Sequence, residues 1–245
     1  MVIERAVGRE PLAALLFGEK GRPAVGRIAA LAAETDAFSL VNAGQLEPGA
    51  AELLRDGLTF DLAGLAPAAA LIPPEAVHRV ALPADFTMAN CEAVHFLVGP
   101  HLAGAENLSP VLRIAATILR QLTQLEGLEA IIWRPARIAV TPAWFAEAVG
   151  IWLAGGPFPA LALTALERTE HGLASEGLDF LIGQEFTLWA KDGAPGLEES
   201  RIAVRLTDWL FAHGRVDTPR EVVLSGAGAV WLEPDGRTKL NARLR

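Results

Sequence analysis

Cysteine, tyrosine and lysine are scarce in this chain of 245 residues. Its single cysteine, Cys91, excludes an internal disulfide and a cysteine-rich zinc site. There is no tyrosine, and the only lysines are Lys20, Lys191 and Lys239. Arginine therefore carries almost all of the positive charge. This bias indicates a high-GC coding preference, as in many bacterial genes, rather than a particular chemistry.

A concentration of positive charge is also missing. The formal net charge is -8, and acidic and basic residues are spread along the whole chain. A surface that binds nucleic acid needs a row of basic side chains to neutralise phosphates. The sequence therefore predicts no nucleic-acid partner, and it offers no residue pattern for a metal or another cofactor.

Long apolar runs are interrupted. Residues 148–166 carry no charge over a length that would cross a bilayer, but Gly155-Gly156-Pro157 lies inside this run and would end a helix. The apolar stretch Leu12–Phe17 near the N-terminus is too short for the core of a secretion signal. We therefore predict a cytoplasmic protein without a membrane partner.

The apolar periodicity predicts an α+β fold. Helical spacing indicates helices over 110–125, 142–153 and 198–212, and continuous apolar runs indicate buried strands such as Leu12–Phe17 and Ala93–Gly99. Because the chain ends in three short strands joined by glycine turns, a mixed sheet with helices mainly on one face and antiparallel hairpins at the end is favoured.

The sequence also predicts the domain organisation and the role of Glu147. We expect a single domain over 1–245, with residues 1–90 as a more loosely packed N-terminal part. Glu52–Arg55 suggests a helix, and Ala160–Leu166 suggests a strand. The helix over 142–153 has Glu147 as its only charge, so we expect a central helix in which Glu147 reaches solvent at an edge or pairs with an arginine.

Motifs for nucleophilic or metal-dependent catalysis are incomplete. Phe17–Arg22 has a lysine but lacks the spacing and the hydroxyl of a phosphate-binding loop. Glu167–His171 resembles an inverted zinc-protease motif with glutamate where the first histidine should stand. Cys91 and His95 lie four residues apart on a predicted strand, which is roughly 13 Å by strand rise. That distance is too long for a Cys–His pair.

All six tryptophans lie in the second half of the chain, on predicted helices and strands. Core packing is the expected role of most of them. Trp133 is the exception that we favour, because it ends a strand and precedes a loop at Arg134-Pro135.

Three segments carry a resemblance to a known family. They are the strand Ala130-Ile-Ile-Trp133, the helix that follows Thr141-Pro142, and the segment Ser175–Glu185. Together they resemble an uncharacterised bacterial family, the domain of unknown function 4261 group, over roughly residues 90–240. The resemblance implies a related fold but no mechanism, because the family has no established activity.

The segment that ends at Glu185 contains the candidate binding residues. Gly177 and Gly183 stand where the backbone is expected to turn sharply, and Ser175 and Glu185 flank them. A structural role, with Glu185 capping backbone donors or pairing with an arginine, is one interpretation. The other is a surface recognition loop in which these residues and Trp133 contact a ligand or a partner.

Two functions from different classes stay open at this stage. The first is a non-enzymatic, cytoplasmic protein that binds another protein as an accessory partner, with self-association as a further option. The second is a hydrolase-like enzyme for a small polar substrate, with Glu185 as the acid or base and His171 or Ser175 assisting. A cleft that joins Glu185 to a histidine would favour the enzyme, and an exposed apolar patch would favour the binding protein.

Overall fold

A computed structural model describes residues 9–42, 46–191 and 194–245. The contacts divide the chain into two compact units. The first comprises Met1–Arg134 and Ile138–Ala154, and the second comprises Pro135–Arg137 and Gly155–Arg245. The sequence suggested one domain with a looser part over 1–90. The described residues up to 90 share the sheet of the first unit, and the single domain over 1–245 stays a prediction.

The described residues of the first unit form eight strands and three helices. The strands are β1 (Ala13–Phe17), β2 (Ser39–Val41), β3 (Ala50–Arg55), β4 (Leu58–Ala63), β5 (His78–Val80), β6 (Glu92–Val98), β7 (Leu128–Trp133) and β8 (Ile138–Val140). The helices are α1 (Val25–Thr35), α2 (Ser109–Leu122) and α3 (Pro142–Leu153).

The described residues of the second unit form six strands and three helices. The strands are β9 (Ala165–Thr169), β10 (Gly172–Glu176), β11 (Glu185–Trp189), β12 (Arg220–Leu224), β13 (Gly228–Asp235) and β14 (Lys239–Leu244). The helices are α4 (Ala160–Leu163), α5 (Leu178–Ile182) and α6 (Leu197–His213).

Strand β1 lies inside the sheet of the first unit, whose order is β2-β3-β4-β6-β1-β7-β8-β5. It pairs antiparallel with β6 on one side and with β7 on the other. Only the β5–β8 pair is parallel, so the sheet is mixed. All five residues of β1 have no exposed surface, as expected of a continuous apolar strand covered on both faces.

Two different layers cover the sheet of the first unit. Helix α2 contacts α1 and α3, and the three helices contact strands β2, β4 and β7, so they form one layer. The other face is rich in small residues, including Ala14, Ala93, Ala130 and Ala139. Irregular chain packs against this face through partly buried apolar side chains, which are Leu71, Ala76, Leu82, Phe86 and Met88. The predicted placement of helices mainly on one face is confirmed for this unit.

The sheet of the second unit has the order β12-β13-β14-β11-β10-β9. Strands β12, β13 and β14 form consecutive antiparallel hairpins, as predicted. Strand β14 then pairs in parallel with β11. Helix α6 contacts β10 and β12 through a face that includes Ile202, Leu206 and Leu210. Both sheets are mixed, and the α+β class is confirmed.

Three local predictions are wrong. Glu52–Arg55 lies in strand β3, because pairing with β2 and β4 overrides its helical composition. Within Ala160–Leu166 the chain forms helix α4 first, and strand β9 begins only at Ala165. The segment 172–185 forms β10 and α5 rather than a surface loop, and it buries Leu173, Leu178 and Leu181.

Helix α3 has the predicted bounds but a different environment. Thr141 caps it, because its Oγ1 accepts the backbone N–H of Trp144 at 3.3 Å. Glu147 is exposed, as predicted. The helix is not central, however, because Trp144 and Ile151 are 37% and 50% exposed on its outer side. Apolar residues of α3 therefore lie both on the face that packs in the core and on the face that is exposed.

Among the residues that the structure describes, no helix has the length and apolar character needed to cross a membrane. The uncharged stretch 148–166 is divided between α3, the turn at Gly155-Gly156, α4 and the start of β9.

Arg22 connects three parts of the first unit. Its Nε donates to Glu92 Oε2 at 3.0 Å, its Nη1 donates to the Gly64 carbonyl, and its Nη2 donates to the Ala68 carbonyl at 3.0 Å. Only 10% of the Arg22 side chain is exposed. The turn that resembled a phosphate-binding loop therefore ends in an arginine that holds the chain after β4 against β6.

Replacing Arg22 with lysine tests this connection. An ammonium group can keep the attraction to Glu92, but it cannot reproduce the planar fork that serves two carbonyls at once. We expect Arg22→Lys to lower the free energy of unfolding by about 2 kcal/mol. Arg27→Lys is the control, because Arg27 forms an exposed ion pair with Glu34 and should cost under about 0.5 kcal/mol. Urea denaturation followed by circular dichroism measures both, and equal losses would contradict this role.

Candidate functional site

The predicted site residues belong to different units and environments. Trp133 ends β7 in the first unit and has no exposed surface. A strand next to β1 is covered on both faces, so its last side chain packs in the core. This burial removes Trp133 from the surface on which a ligand would lie. Ser175, Gly177, Gly183 and Glu185 all belong to the second unit.

Ser175 and Glu185 form a hydrogen-bonded cluster where β10 and β11 separate. Ser175 Oγ contacts Glu185 Oε2 and accepts the backbone N–H of Phe186 at 2.8 Å. Glu185 Oε1 accepts the backbone N–H of Asp179 at 3.0 Å, in the first turn of α5. The cluster thus joins β10, α5 and β11 through one hydroxyl and one carboxyl group.

The environment favours the neutral form of the Glu185 carboxyl group. Burial raises the pKa of Glu185 to about 7, and the Asp179 carboxylate adds to this effect, while donation from Asp179 N–H and Ser175 Oγ opposes it. A protonated Oε2 can donate to Ser175 Oγ, whose own proton then points to the Phe186 carbonyl at 3.4 Å. In this arrangement every polar group of the cluster has a partner.

Gly177 and Gly183 flank helix α5 in the left-handed conformation, with φ of 85° and 76°. A Cβ atom at Gly177 would lie 2.6 Å from both Cα and Cβ of Ala136, whereas a Cβ at Gly183 would meet no atom within 4 Å. Gly177 therefore allows a close approach to 135–137, and Gly183 provides only the turn. Both glycines serve the local fold.

His171 does not complete an acid–base pair with Glu185. It lies between β9 and β10 with 64% of its side chain exposed, and its Nε2 is 3.7 Å from Glu170 Oε2. Exposure and an exposed neighbour leave its imidazole without the environment of a catalytic base.

Cys91 and His95 have separate partners in the first unit. The Cys91 thiol lies 3.7 Å from Glu129 Oε2 and from the Thr87 carbonyl. Burial, and secondly Glu129, raise the pKa of Cys91 to about 11, so the thiol stays protonated and unreactive at neutral pH. His95 Nε2 lies 2.9 Å from the Ile72 carbonyl, and burial lowers the pKa of its imidazole. These contacts do not form a Cys–His pair.

An acidic cavity of about 790 Å³ lies beside Cys91 in the first unit. Its lining includes the carboxylates of Glu19, Asp85, Glu92 and Glu129. The sequence interpretation missed this cavity, although a glutamate at the second position of an otherwise apolar strand β7 was a signal. Within the described ranges no group of three histidine, cysteine or acidic residues could hold a metal ion.

A second cleft, of about 490 Å³, lies in the second unit between Pro157-Phe158 and helix α6. It was also missed, because its two walls are more than forty residues apart in the sequence.

Comparison with known proteins adds no further information: no family model, curated protein or solved structure matches this chain. The resemblance to the domain of unknown function 4261 group therefore stays a prediction.

The two glycines of α5 provide a matched pair of substitutions. Gly183→Ala adds only the strain of a left-handed alanine, and we expect a loss of about 1 kcal/mol in the free energy of unfolding. Gly177→Ala adds a clash with the backbone of Ala136 and should cost at least about 3 kcal/mol. Denaturation curves of the two variants measure the difference. Similar losses would show that the approach to Ala136 does not constrain the fold.

The raised pKa of Glu185 predicts a specific pH dependence of stability. Below about pH 4.5 the carboxyl group is protonated in the folded and the unfolded chain. Between about pH 4.5 and 7 the unfolded chain loses this proton while the folded chain keeps it, so the free energy of unfolding falls as pH rises. Above about pH 7 the effect levels off.

Glu185→Gln isolates this effect, because glutamine imitates the neutral acid and can donate to Ser175 Oγ. We expect similar melting temperatures for variant and wild type at pH 4.5 and a higher one for the variant at pH 8. Glu185→Ala, which removes the contacts altogether, should melt lower at both pH values. A difference between Glu185→Gln and wild type that does not change with pH would show that the folded protein ionises Glu185 normally.

Proposed function

We propose that this protein is a non-enzymatic, cytoplasmic interaction protein that binds a partner protein through the outer face of helix α3. One observation carries the proposal. Trp144 and Ile151 lie seven residues apart on α3 and are 37% and 50% exposed, with Ala148 between them on the same face. An apolar stripe with this spacing is the kind of surface that inserts into a groove of a partner.

The character of this face suggests the chemistry of the partner. Tryptophan is among the residues that contribute most to protein interfaces, since it buries a large apolar area with little loss of side-chain freedom. Glu147, the only charge of the helix, is exposed on the same side. A fitting partner therefore has an apolar groove with a basic side chain at its rim. A second copy of this chain is the alternative occupant.

The cytoplasmic location and the accessory role are part of the same proposal. They agree with the interrupted apolar run over 148–166 and with the resemblance to an uncharacterised bacterial family, which has no established activity. The spread of charge gives no support to a nucleic-acid partner.

The raised pKa of Glu185 is the observation that favours an enzyme. A carboxyl group with a pKa of about 7 can act as an acid or a base at neutral pH. Against this, both of its oxygens already contact Ser175 and the Asp179 backbone, and the clefts described above are lined by other residues. We therefore favour the structural interpretation of Glu185, and with it the binding function.

Ile151→Glu tests the proposed interface. The change places a charge at one end of the apolar stripe without touching the packed face, so the melting temperature should stay within a few degrees of wild type. Binding of the partner should fall at least about tenfold. Val223→Glu is the control, because Val223 is 75% exposed on β12 in the other unit.

The measurement has two stages. Light scattering coupled to gel filtration first shows whether wild type self-associates and whether Ile151→Glu alone prevents this. If wild type is a monomer, the three proteins are immobilised and exposed to cytosol. Proteins that wild type and Val223→Glu retain, but Ile151→Glu does not, are purified and their affinities are measured. Equal retention by both variants would contradict a role for α3 in binding.

A further inference from the structure

The cleft beside helix α6 has two walls of different origin. One wall is Pro157-Phe158, and the other is one face of α6, which contributes Ser200, Arg201, Val204, Arg205 and Asp208. The spacing of these helical residues places them on the side opposite to the buried residues of α6, Ile202 and Leu206 among them. The whole cleft belongs to the second unit.

Contacts within the protein fix the shape of the cleft. The backbone N–H of Phe158 donates to Asp208 Oδ1 at 2.8 Å. The ring of Phe158 stacks on Phe211 with 4.1 Å between centroids. The wall is therefore held against α6, and a ligand would find the cleft already formed. Pre-formed clefts of several hundred cubic ångströms are typical of sites for small molecules.

The charges in the cleft are unbalanced. Arg201 and Arg205 are both exposed and lie one turn apart on α6, where like charges repel. Over the ranges 9–42, 46–191 and 194–245, neither forms an ion pair with a carboxylate. Arg205 Nη1 donates to the Ser225 carbonyl, which holds its guanidinium in place. Asp208, the one acid in the lining, already accepts from Phe158.

A third guanidinium group adds to this positive charge. Arg168 Nη2 donates to Ser200 Oγ at 3.3 Å, and its Nη1 donates to the Pro195 carbonyl. Ser200 Oγ in turn donates to the Gly196 carbonyl at 2.9 Å. Arg168 therefore adds a positive group next to Ser200, which lines the cleft with Arg201 and Arg205. Pro157 and Phe158 on one wall and Val204 on the other contribute apolar atoms to the lining.

We propose that this cleft binds a small amphipathic carboxylate, with its carboxylate on Arg201 and Arg205 and its apolar body against Pro157, Phe158 and Val204. The planar fork of arginine matches a carboxylate through paired hydrogen bonds. The anion would also remove the repulsion between the two arginines. This site is independent of the proposed interface on α3, which lies in the other unit.

Calorimetric titration with 4-phenylbutyrate tests the proposal, with 4-phenylbutylamine and inorganic phosphate as comparison probes. The carboxylate binds and the amine does not, because the amine has the same apolar body and the opposite charge. Phosphate binds more weakly than the carboxylate, because it lacks the apolar body. Equal binding of the amine would overturn the proposal, and so would phosphate binding at least as tight as that of the carboxylate.

Variants locate the binding within the cleft. Arg201→Gln weakens 4-phenylbutyrate binding by about tenfold, since one charged hydrogen-bond donor pair is lost. Val204→Ser weakens the binding of 4-phenylbutyrate but leaves the affinity for phosphate unchanged. Arg220→Gln, which removes an exposed arginine from β12, leaves both affinities unchanged. Equal losses from Arg201→Gln and Arg220→Gln, or no binding of 4-phenylbutyrate to the wild-type chain, would overturn the assignment.

Discussion

Complete burial of strand β1 is the constraint on which the first unit depends. Its five residues have no exposed surface, so each face of the sheet needs a cover. Helices provide the cover on one face. On the other face, alanines at 14, 93, 130 and 139 leave room for irregular chain to approach closely. The proline-rich stretch before Cys91 therefore covers this face with partly buried side chains, even though it forms little regular structure. Arg22 secures part of this stretch by donating to the carbonyls of Gly64 and Ala68.

In the second unit, the polar cluster of Ser175 and Glu185 holds β10, β11 and α5 together. Strands β10 and β11 pair only from Gly172 to Ala174. Beyond that point, hydrogen bonds of the Ser175 and Glu185 side chains take the place of backbone hydrogen bonds between the strands. A buried ionised carboxylate would be costly there, whereas a neutral carboxyl group satisfies both neighbours. A strongly raised pKa therefore does not by itself identify a catalytic acid. In this cluster it follows from packing a glutamate into the joint between two strands and a helix.

The sequence was sufficient for elements with a clear period or a continuous apolar run. Helices α2, α3 and α6 and strands β1, β6 and β7 are close to their predicted positions. Failures have a common physical cause, which is that partners distant in sequence decide the outcome. Glu52–Arg55 has helical composition but is held by strands on both sides. The outer face of α3 could not be distinguished from a buried one, because both are apolar.

The candidate site was only partly predictable for the same reason. The sequence singled out Ser175 and Glu185, but it predicted neither the contact between them nor the strand and helix that the segment 172–185 forms. Trp133 could not be placed, since the strands that bury it come from elsewhere in the chain. The cleft beside α6 depends on the hydrogen bond from Phe158 N–H to Asp208 and on the stacking of Phe158 against Phe211. No local sequence pattern predicts these contacts, because the residues are about fifty positions apart in the chain.

The mixed sheet of the second unit also has a kinetic consequence. Strands β12, β13 and β14 follow one another through short turns, so their hairpins close small loops and can form early. The parallel pairing of β11 with β14 instead brings Glu185 opposite Lys239, and α6 and two strands lie between them in the chain. Closing that long loop orders far more chain before any contact is gained. The slow step in assembling this unit should therefore be the docking of β11 onto a hairpin region that has already formed.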